Sequence, residues 1–216
     1  MDYSERRRMM VDTQVRPSDV TKFPIIEAML TVPRERFVPE AWREAAYAGE
    51  NVELAPGRVV FEPRTIAKML DAVNIRADET VLDIACGLGY STALAAMLGD
   101  AVVAVEEDPD FAREAEANLS EQGADNAVVI EAPLVDGAPK HGPYDVILIQ
   151  GGVERVPEAL VAQLAEGGRM ACLFREGALG VVRLGIKNEG RIDWRFLFNA
   201  GAPHLRGFEA AKAFSL

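Results

Sequence analysis

At 216 residues and 23.5 kDa, the chain has the length of one domain with a modest appendage and is too short for two large ones. Its composition, 49% hydrophobic and 26% charged, excludes a disordered chain. A net charge of −11 with an isoelectric point near 4.8 leaves no field to attract phosphates, so nucleic acid is excluded as a partner.

The only cysteines, Cys86 and Cys172, lie in apolar segments. They are too few for a disulfide framework and point to a reducing, cytoplasmic setting. Residues 1–5 carry no apolar leader, and no run reaches the roughly 18 apolar residues of a membrane span, so no membrane partner is expected. Arg6, Arg7 and Arg8 form the one basic cluster, expected to be a solvated helix face or a loose tail. His141 and His204 are scattered and predict surface or packing roles and no metal site.

The first third reads as helical and irregular. Pro24 opens a helix whose apolar face is Ile25, Ile26, Met29 and Leu30, and Pro33 stops it. From Phe37 to Gly57 the pattern is mostly loop. A clearer amphipathic helix follows Pro63, with Ile66, Met69, Leu70 and Val73 at helical spacing and an end near Asn74. After residue 80, short apolar runs alternate with helical segments, the signature of βαβ units. Strands are expected at Val81 to Ile84, Ala101 to Val105, Ala127 to Ile130, Tyr144 to Ile149 and Arg169 to Phe174. Helices are expected near 91–98, at 109–122 closed by Gly123, and after Pro157, where Leu160, Val161 and Leu164 face the core until Gly167-Gly168. Two last strands, about 180–187 and 192–198, joined through Asn188-Glu189-Gly190, predict an antiparallel hairpin and a mixed seven-stranded sheet.

The first of these strands runs into Asp83-Ile84-Ala85-Cys86-Gly87-Leu88-Gly89-Tyr90 and then a helix. A glycine turn at the carboxyl end of a strand is where open α/β sheets bind ligands. The spacing does not fit a dinucleotide fingerprint, because Thr92 or Tyr90 falls where the third small residue is needed, and no Gly-Lys-Ser/Thr makes a phosphate loop. Glu106, at the end of the next strand, is placed to hydrogen-bond a ribose diol.

This arrangement resembles motif I of the S-adenosylmethionine-dependent methyltransferases. The chain further resembles the protein-L-isoaspartate O-methyltransferase family in Ala28-Met29-Leu30-Thr31-Val32-Pro33-Arg34-Glu35-Arg36-Phe37-Val38-Pro39, in Ala46-Tyr47, in Val81 to Ala93, in Tyr144 to Ile149, in Val156-Pro157-Glu158-Ala159-Leu160, and in Gln163-Leu164 with Glu166-Gly167-Gly168. The match runs from about residue 9 to 175 and weakens beyond. It implies an α/β, Rossmann-like class I methyltransferase fold with a mixed seven-stranded sheet, a C-terminal antiparallel hairpin and a helical N-terminal extension. Residues 1–78 would form that extension and the substrate side, and 79–216 the S-adenosylmethionine-binding core, in one compact unit. The implied cofactor residues are Asp83, Ala85, Cys86, Gly87, Gly89, Tyr90, Glu106, Glu107, Pro133 and Leu134. The implied reaction is methyl transfer to the carboxylate of isoaspartyl residues in damaged proteins.

Four departures from the family pattern bear on that reaction. The family's Thr-Ile-Ser/Thr-x-Pro aligns with Val59-Val60-Phe61-Glu62-Pro63, so Phe61 replaces a hydroxyl associated with catalysis. Losing such a donor in a closed site costs roughly 3–4 kcal/mol of transition-state stabilisation. Ala132-Pro133-Leu134 replaces Gly-Asp-Gly, Ala85 replaces the first glycine of motif I, and Gln150-Gly151-Gly152 replaces Thr-Ala-Ala.

A carboxylate with a pKa near 4 is already ionised at pH 7, so displacement at the sulfonium needs no general base and no catalytic side chain is assigned. Phe61, Glu62, Arg64 and Gln150 are the substrate-pocket candidates, Arg64 as a bidentate carboxylate ligand. Trp42 and Trp194 are expected in core or edge packing. Three readings follow: an isoaspartyl methyltransferase that tolerates Phe61, a relative that methylates another protein carboxylate or a small molecule, and a cofactor-binding protein without turnover.

Overall fold

Three helices, α1 (Tyr3–Met10), α2 (Phe23–Thr31) and α3 (Pro63–Val73), precede the sheet and enclose a small hairpin of β1 (Val52–Ala55) and β2 (Arg58–Val60) in chain order. The computed structural model describes residues 2–177 and 179–210. From residue 80 the chain alternates β3 (Thr80–Ile84), α4 (Tyr90–Ala96), β4 (Ala101–Glu106), α5 (Pro109–Gln122), β5 (Ala127–Glu131), β6 (Tyr144–Val153), α6 (Glu158–Gln163) and β7 (Leu164–Glu176). The hairpin β8 (Leu179–Asn188) and β9 (Arg191–Asn199) closes it.

The seven strands lie in the order β5-β4-β3-β6-β7-β8-β9. β3 to β7 are parallel, and β8 and β9 run antiparallel at the edge. Glu189 and Gly190, at φ +50° and +76°, make a two-residue turn whose left-handed backbone conformation suits the right-handed twist of the paired strands. The expected mixed seven-stranded sheet with its terminal hairpin is therefore present.

Alternation along the strands feeds two cores. Val81, Val102, Val146, Leu148, Ala171 and Leu173 face α2, α3 and α4, where Ile66, Met69, Leu70 and Val73 are all buried. Leu82, Val103, Ile147, Ile149, Met170 and Cys172 face the opposite side, with Leu160 and Phe208. A parallel sheet covered on both faces requires this near-continuous apolar sequence in its strands. β3 pairs with both β4 and β6, so the chain changes winding direction there and leaves a crevice at the carboxyl ends.

Several local expectations change. Leu30 is 37% exposed, because α2 packs through Ile25, Ile26, Ala28 and Met29. The 37–57 loop contains a short helical stretch (Glu40–Ala45) and β1, whose turn at Pro56-Gly57 is too short for a periodic signal. Arg6 and Arg7 are neither solvated nor loose. Arg6 pairs with Glu44, while Arg7 reaches Glu35, the Tyr47 hydroxyl and the carbonyls of Leu30 and Thr31, tying α1 to α2. Only Arg8 is exposed. α6 ends at Gln163, so Leu164 is buried as the start of β7 and Val161 is only half-buried. Trp194 packs edge-on against Phe174 at 4.8 Å, but Trp42 is exposed.

Arg169 on β7 joins these layers. Its guanidinium forks onto Glu79 at 2.6 and 2.8 Å and donates to the carbonyls of Val73 and Asn74 at the end of α3. Burial alone would raise Glu79, but Arg169 and the Arg76 amide outweigh it and hold its carboxyl below the usual range. Replacing one partner of a buried pair strands the other charge. Arg169→Met is expected to cost about 3 kcal/mol in urea unfolding at pH 7. A loss below about 1 kcal/mol would mean that Glu79 finds other partners.

Candidate active site

At the carboxyl ends of β3 and β4 two carboxylates, Asp83 and Glu106, are completely buried. Asp83 Oδ2 accepts from the hydroxyls of Ser91 and Thr92 at 2.6 and 2.7 Å, and Oδ1 from Gln150 Nε2 at 2.8 Å. It thus ties β3 to the first turn of α4 and to β6. Burial pushes Asp83 up to about 6, while its three donors pull it back toward the charged form. With its oxygens occupied and no exposed surface, Asp83 braces the turn from below.

Between β3 and α4 the backbone takes left-handed conformations at Ala85 (φ +63°), Gly87 (φ +58°) and Gly89 (φ +97°). Only Ala85 carries a side chain there, at the position where the family pattern has glycine. Cys86 is buried, and burial raises its thiol well above the ordinary value.

Glu106 is satisfied from several directions. The amides of Gly87, Glu107 and Asp108 donate to it at 2.8, 2.9 and 3.1 Å. The Arg58 guanidinium, from β2, donates through Nη1 to Oε1 at 2.7 Å and through Nη2 to Oε2. Burial works against the charge on Arg58, but Glu106 holds its pKa above the ordinary value. Sequence patterns gave Arg58 no role, since nothing local to residue 58 announces a partner 48 residues away. The signal available was indirect, in that a carboxylate at the end of a buried strand needs a counter-charge.

A second buried guanidinium, Arg34, stands on the substrate side. It donates through Nε to the Ala46 carbonyl at 2.6 Å and through Nη2 to the Phe61 carbonyl at 2.7 Å, and it stacks 4.8 Å from the Tyr90 ring. Arg34 Nη1 and the Tyr90 hydroxyl have no hydrogen-bond partner among the described residues. Burial lowers the Arg34 pKa and raises that of Tyr90.

Arg34 thereby fixes the backbone of Phe61, whose ring lines a cavity of about 10 Å³ with Val59, Val60, Ile66, Cys86, Tyr90, Ser91 and Gln150. Of the four substrate-pocket candidates, the structure brings Phe61 and Gln150 together there. Glu62 instead precedes α3 and accepts from the Thr65 hydroxyl at 2.8 Å. Arg64 turns toward the Asn199 carbonyl and lies 5.3 Å from the Phe198 ring.

The outer cofactor candidates also differ. Glu107 and Pro133 are exposed beside the crevice, but Leu134 is buried in the core on the opposite side of the sheet. Gly151 has a structural reason to be glycine, since a β-carbon there would lie 2.4 Å from Leu205. Segment 203–205 runs across the end of β6, with the Gly152 amide donating to the Pro203 carbonyl and the Leu205 amide to that of Gly152.

The raised pKa of Asp83 has a definite sign in stability. From about pH 4 to about pH 6 the folded protein keeps a proton that the unfolded chain has released, so this group lowers stability as pH rises through that window. Asp83→Asn, which titrates nowhere in it, is expected to gain about 3 kcal/mol relative to the parent between pH 4 and pH 7 in urea unfolding. A pH-independent difference would mean that the three donors fully compensate burial.

The family described as protein-L-isoaspartate(D-aspartate) O-methyltransferase matches residues 5–191. A protein-L-isoaspartate O-methyltransferase 2 of Marinobacter nauticus is 38% identical over 169 residues, covering 78% of this chain and 77% of the relative. One from Methanoculleus marisnigri is 33% identical over 188 residues, 87% and 85% of the two chains. A solved protein-L-isoaspartate O-methyltransferase superposes with a TM-score of 0.79 at 23% identity, over 95% of this chain and 66% of the other. A Plasmodium falciparum structure described under the same activity, in complex with S-adenosyl-L-homocysteine, gives a TM-score of 0.79 at 19% identity, over 95% and 99%. The structures carry the likeness of fold, and the sequence matches carry the assignment: the chain belongs to the protein-L-isoaspartate(D-aspartate) O-methyltransferase family.

Proposed function

We propose that this protein transfers a methyl group from S-adenosylmethionine to the side-chain carboxylate of isoaspartyl residues in damaged proteins. The observation that carries this reading is the family match across residues 5–191, which includes both the glycine turn and the Phe61 segment. The donor set fits the cofactor chemically. Gly87 and Gly89 present backbone without a side chain, and Glu106 stands at the end of β4 as a buried acceptor for a ribose diol. Glu106, the 85–90 turn and Tyr90 are the residues that would hold it. When bound, the cofactor supplies an electrophilic methyl on a sulfonium.

The chain's own part is to bind, orient and exclude water. The acceptor carboxylate is ionised at neutral pH, so no residue has to remove a proton. Phe61, Val59, Val60 and Ile66 provide an apolar wall, and desolvating the carboxylate there strengthens its attack. Arg34 holds that wall from behind through the Phe61 carbonyl. No observation favours a different acceptor or loss of turnover.

The isoaspartyl peptide chain is the proposed partner. No helix among the described residues is long and apolar enough to cross a membrane. The buried free thiols of Cys86 and Cys172 support a reducing, cytoplasmic location.

The test is incubation with methyl-labelled S-adenosylmethionine and either an isoaspartyl peptide or its aspartyl twin, counting base-labile methyl groups. Selective labelling of the isoaspartyl peptide is expected. Equal labelling of both, or none, would overturn the substrate assignment. With Phe61→Ser, verified as folded by circular dichroism, kcat/KM is expected to rise about tenfold or more, because a hydroxyl donor returns to the acceptor side. An unchanged kcat/KM would mean that the hydroxyl is not limiting in this chain.

A further inference from the structure

The cradle assigned to the cofactor is filled by the chain itself. Arg58 occupies the two oxygens of Glu106 that a ribose diol would use, and the pair is buried, with side-chain exposures of 12% and 0%. On the same hairpin, Leu54 rests on the glycine turn so closely that a β-carbon on Gly87 would lie 2.5 Å from its Cδ1. Between hairpin and turn remains the cavity of about 10 Å³, room for one water and far too little for an adenosyl group. Two separate contacts, and the narrowness of the cavity between them, thus put β1 and β2 where the ligand has to go.

We propose that this hairpin is an internal competitor for the cofactor, and that Arg58 sets the apparent affinity by pairing with Glu106 in the closed state. The inference rests on the S-adenosylmethionine reading and adds the step that precedes binding. Leu54 has to leave Gly87, and the Arg58 fork has to release Glu106, before the site accepts a ligand. Apparent affinity is then the intrinsic affinity reduced by the fraction of molecules with the hairpin open. Glu106 keeps its place after Arg58 leaves, because the amides of Gly87, Glu107 and Asp108 still donate to it. The carboxylate is therefore preformed for a ribose, and the hairpin is the moving part.

Titration calorimetry with S-adenosylhomocysteine tests this without requiring turnover. Arg58→Ala and Leu54→Ala, which loosen the hairpin at two separate contacts, are both expected to bind about tenfold or more tightly than the parent. Arg58→Lys is expected to fall between, since an ammonium keeps the charge but cannot fork onto both oxygens. Hydrogen exchange at residues 52–60 of the ligand-free protein is expected to be faster in both alanine variants. Unchanged or weaker binding by both, with the parent binding normally, would overturn the competitor role. Failure of parent and variants alike to bind would overturn the cofactor reading itself, and this inference with it.

Discussion

Burying a carboxylate without partners costs several kcal/mol, and this fold buries two at the ends of adjacent strands. The turn, the first helix of the core and the hairpin above it are arranged around satisfying them. Asp83 collects Ser91, Thr92 and Gln150, and so joins β3, α4 and β6 into one rigid floor. Glu106 collects three backbone amides and the Arg58 fork, and so fixes the roof to the floor. The two acids look alike in the sequence but do different work. The first is satisfied wholly from inside the sheet and its helix, whereas the second depends partly on a segment able to leave.

The substrate side is built on a similar economy of buried charge. Arg34 lies in the Val-Pro-Arg-Glu-Arg-Phe run that identifies the family, and its guanidinium donates through Nε and Nη2 to carbonyls of two connecting segments instead of to a carboxylate. It therefore positions loop backbone, Phe61 included, while its neighbour Glu35 takes the Tyr47 hydroxyl and Arg7. One short run thus anchors α1, the 40s segment and the pocket wall. That shared use gives a single short run a hold on several elements at once.

Phe61 changes the character of the wall and leaves its position intact. The carbonyl at this residue is held by Arg34 whatever the side chain is, so replacing a hydroxyl by a phenyl ring leaves the backbone path in place. The change removes a donor and fills space, and its effect falls on acceptor orientation. Gly151, by contrast, differs from the family pattern because Leu205 lies over it, a matter of how the C-terminal segment crosses β6.

The sequence by itself determined the strand and helix order after residue 80, because runs such as Tyr144 to Ile149 and the Ile66, Met69, Leu70, Val73 stripe carry period and burial in local composition. It also determined the glycine turn and the place of Glu106 at a strand end, since both follow from position along a βαβ unit. Only the tertiary structure decided what those residues face. Arg58 lies 48 residues from Glu106, and an ion pair across that distance leaves no periodic trace. Glu62, next to Phe61 in sequence, and Arg64, three residues on, turn away from the pocket because Glu62 accepts from the Thr65 hydroxyl at the start of α3 and Arg64 reaches the Asn199 carbonyl. Leu134 enters the opposite core for a comparable reason, the path of the loop after β5. Local pattern specifies which elements form; long-range contacts between buried charges and apolar faces decide which side chains meet.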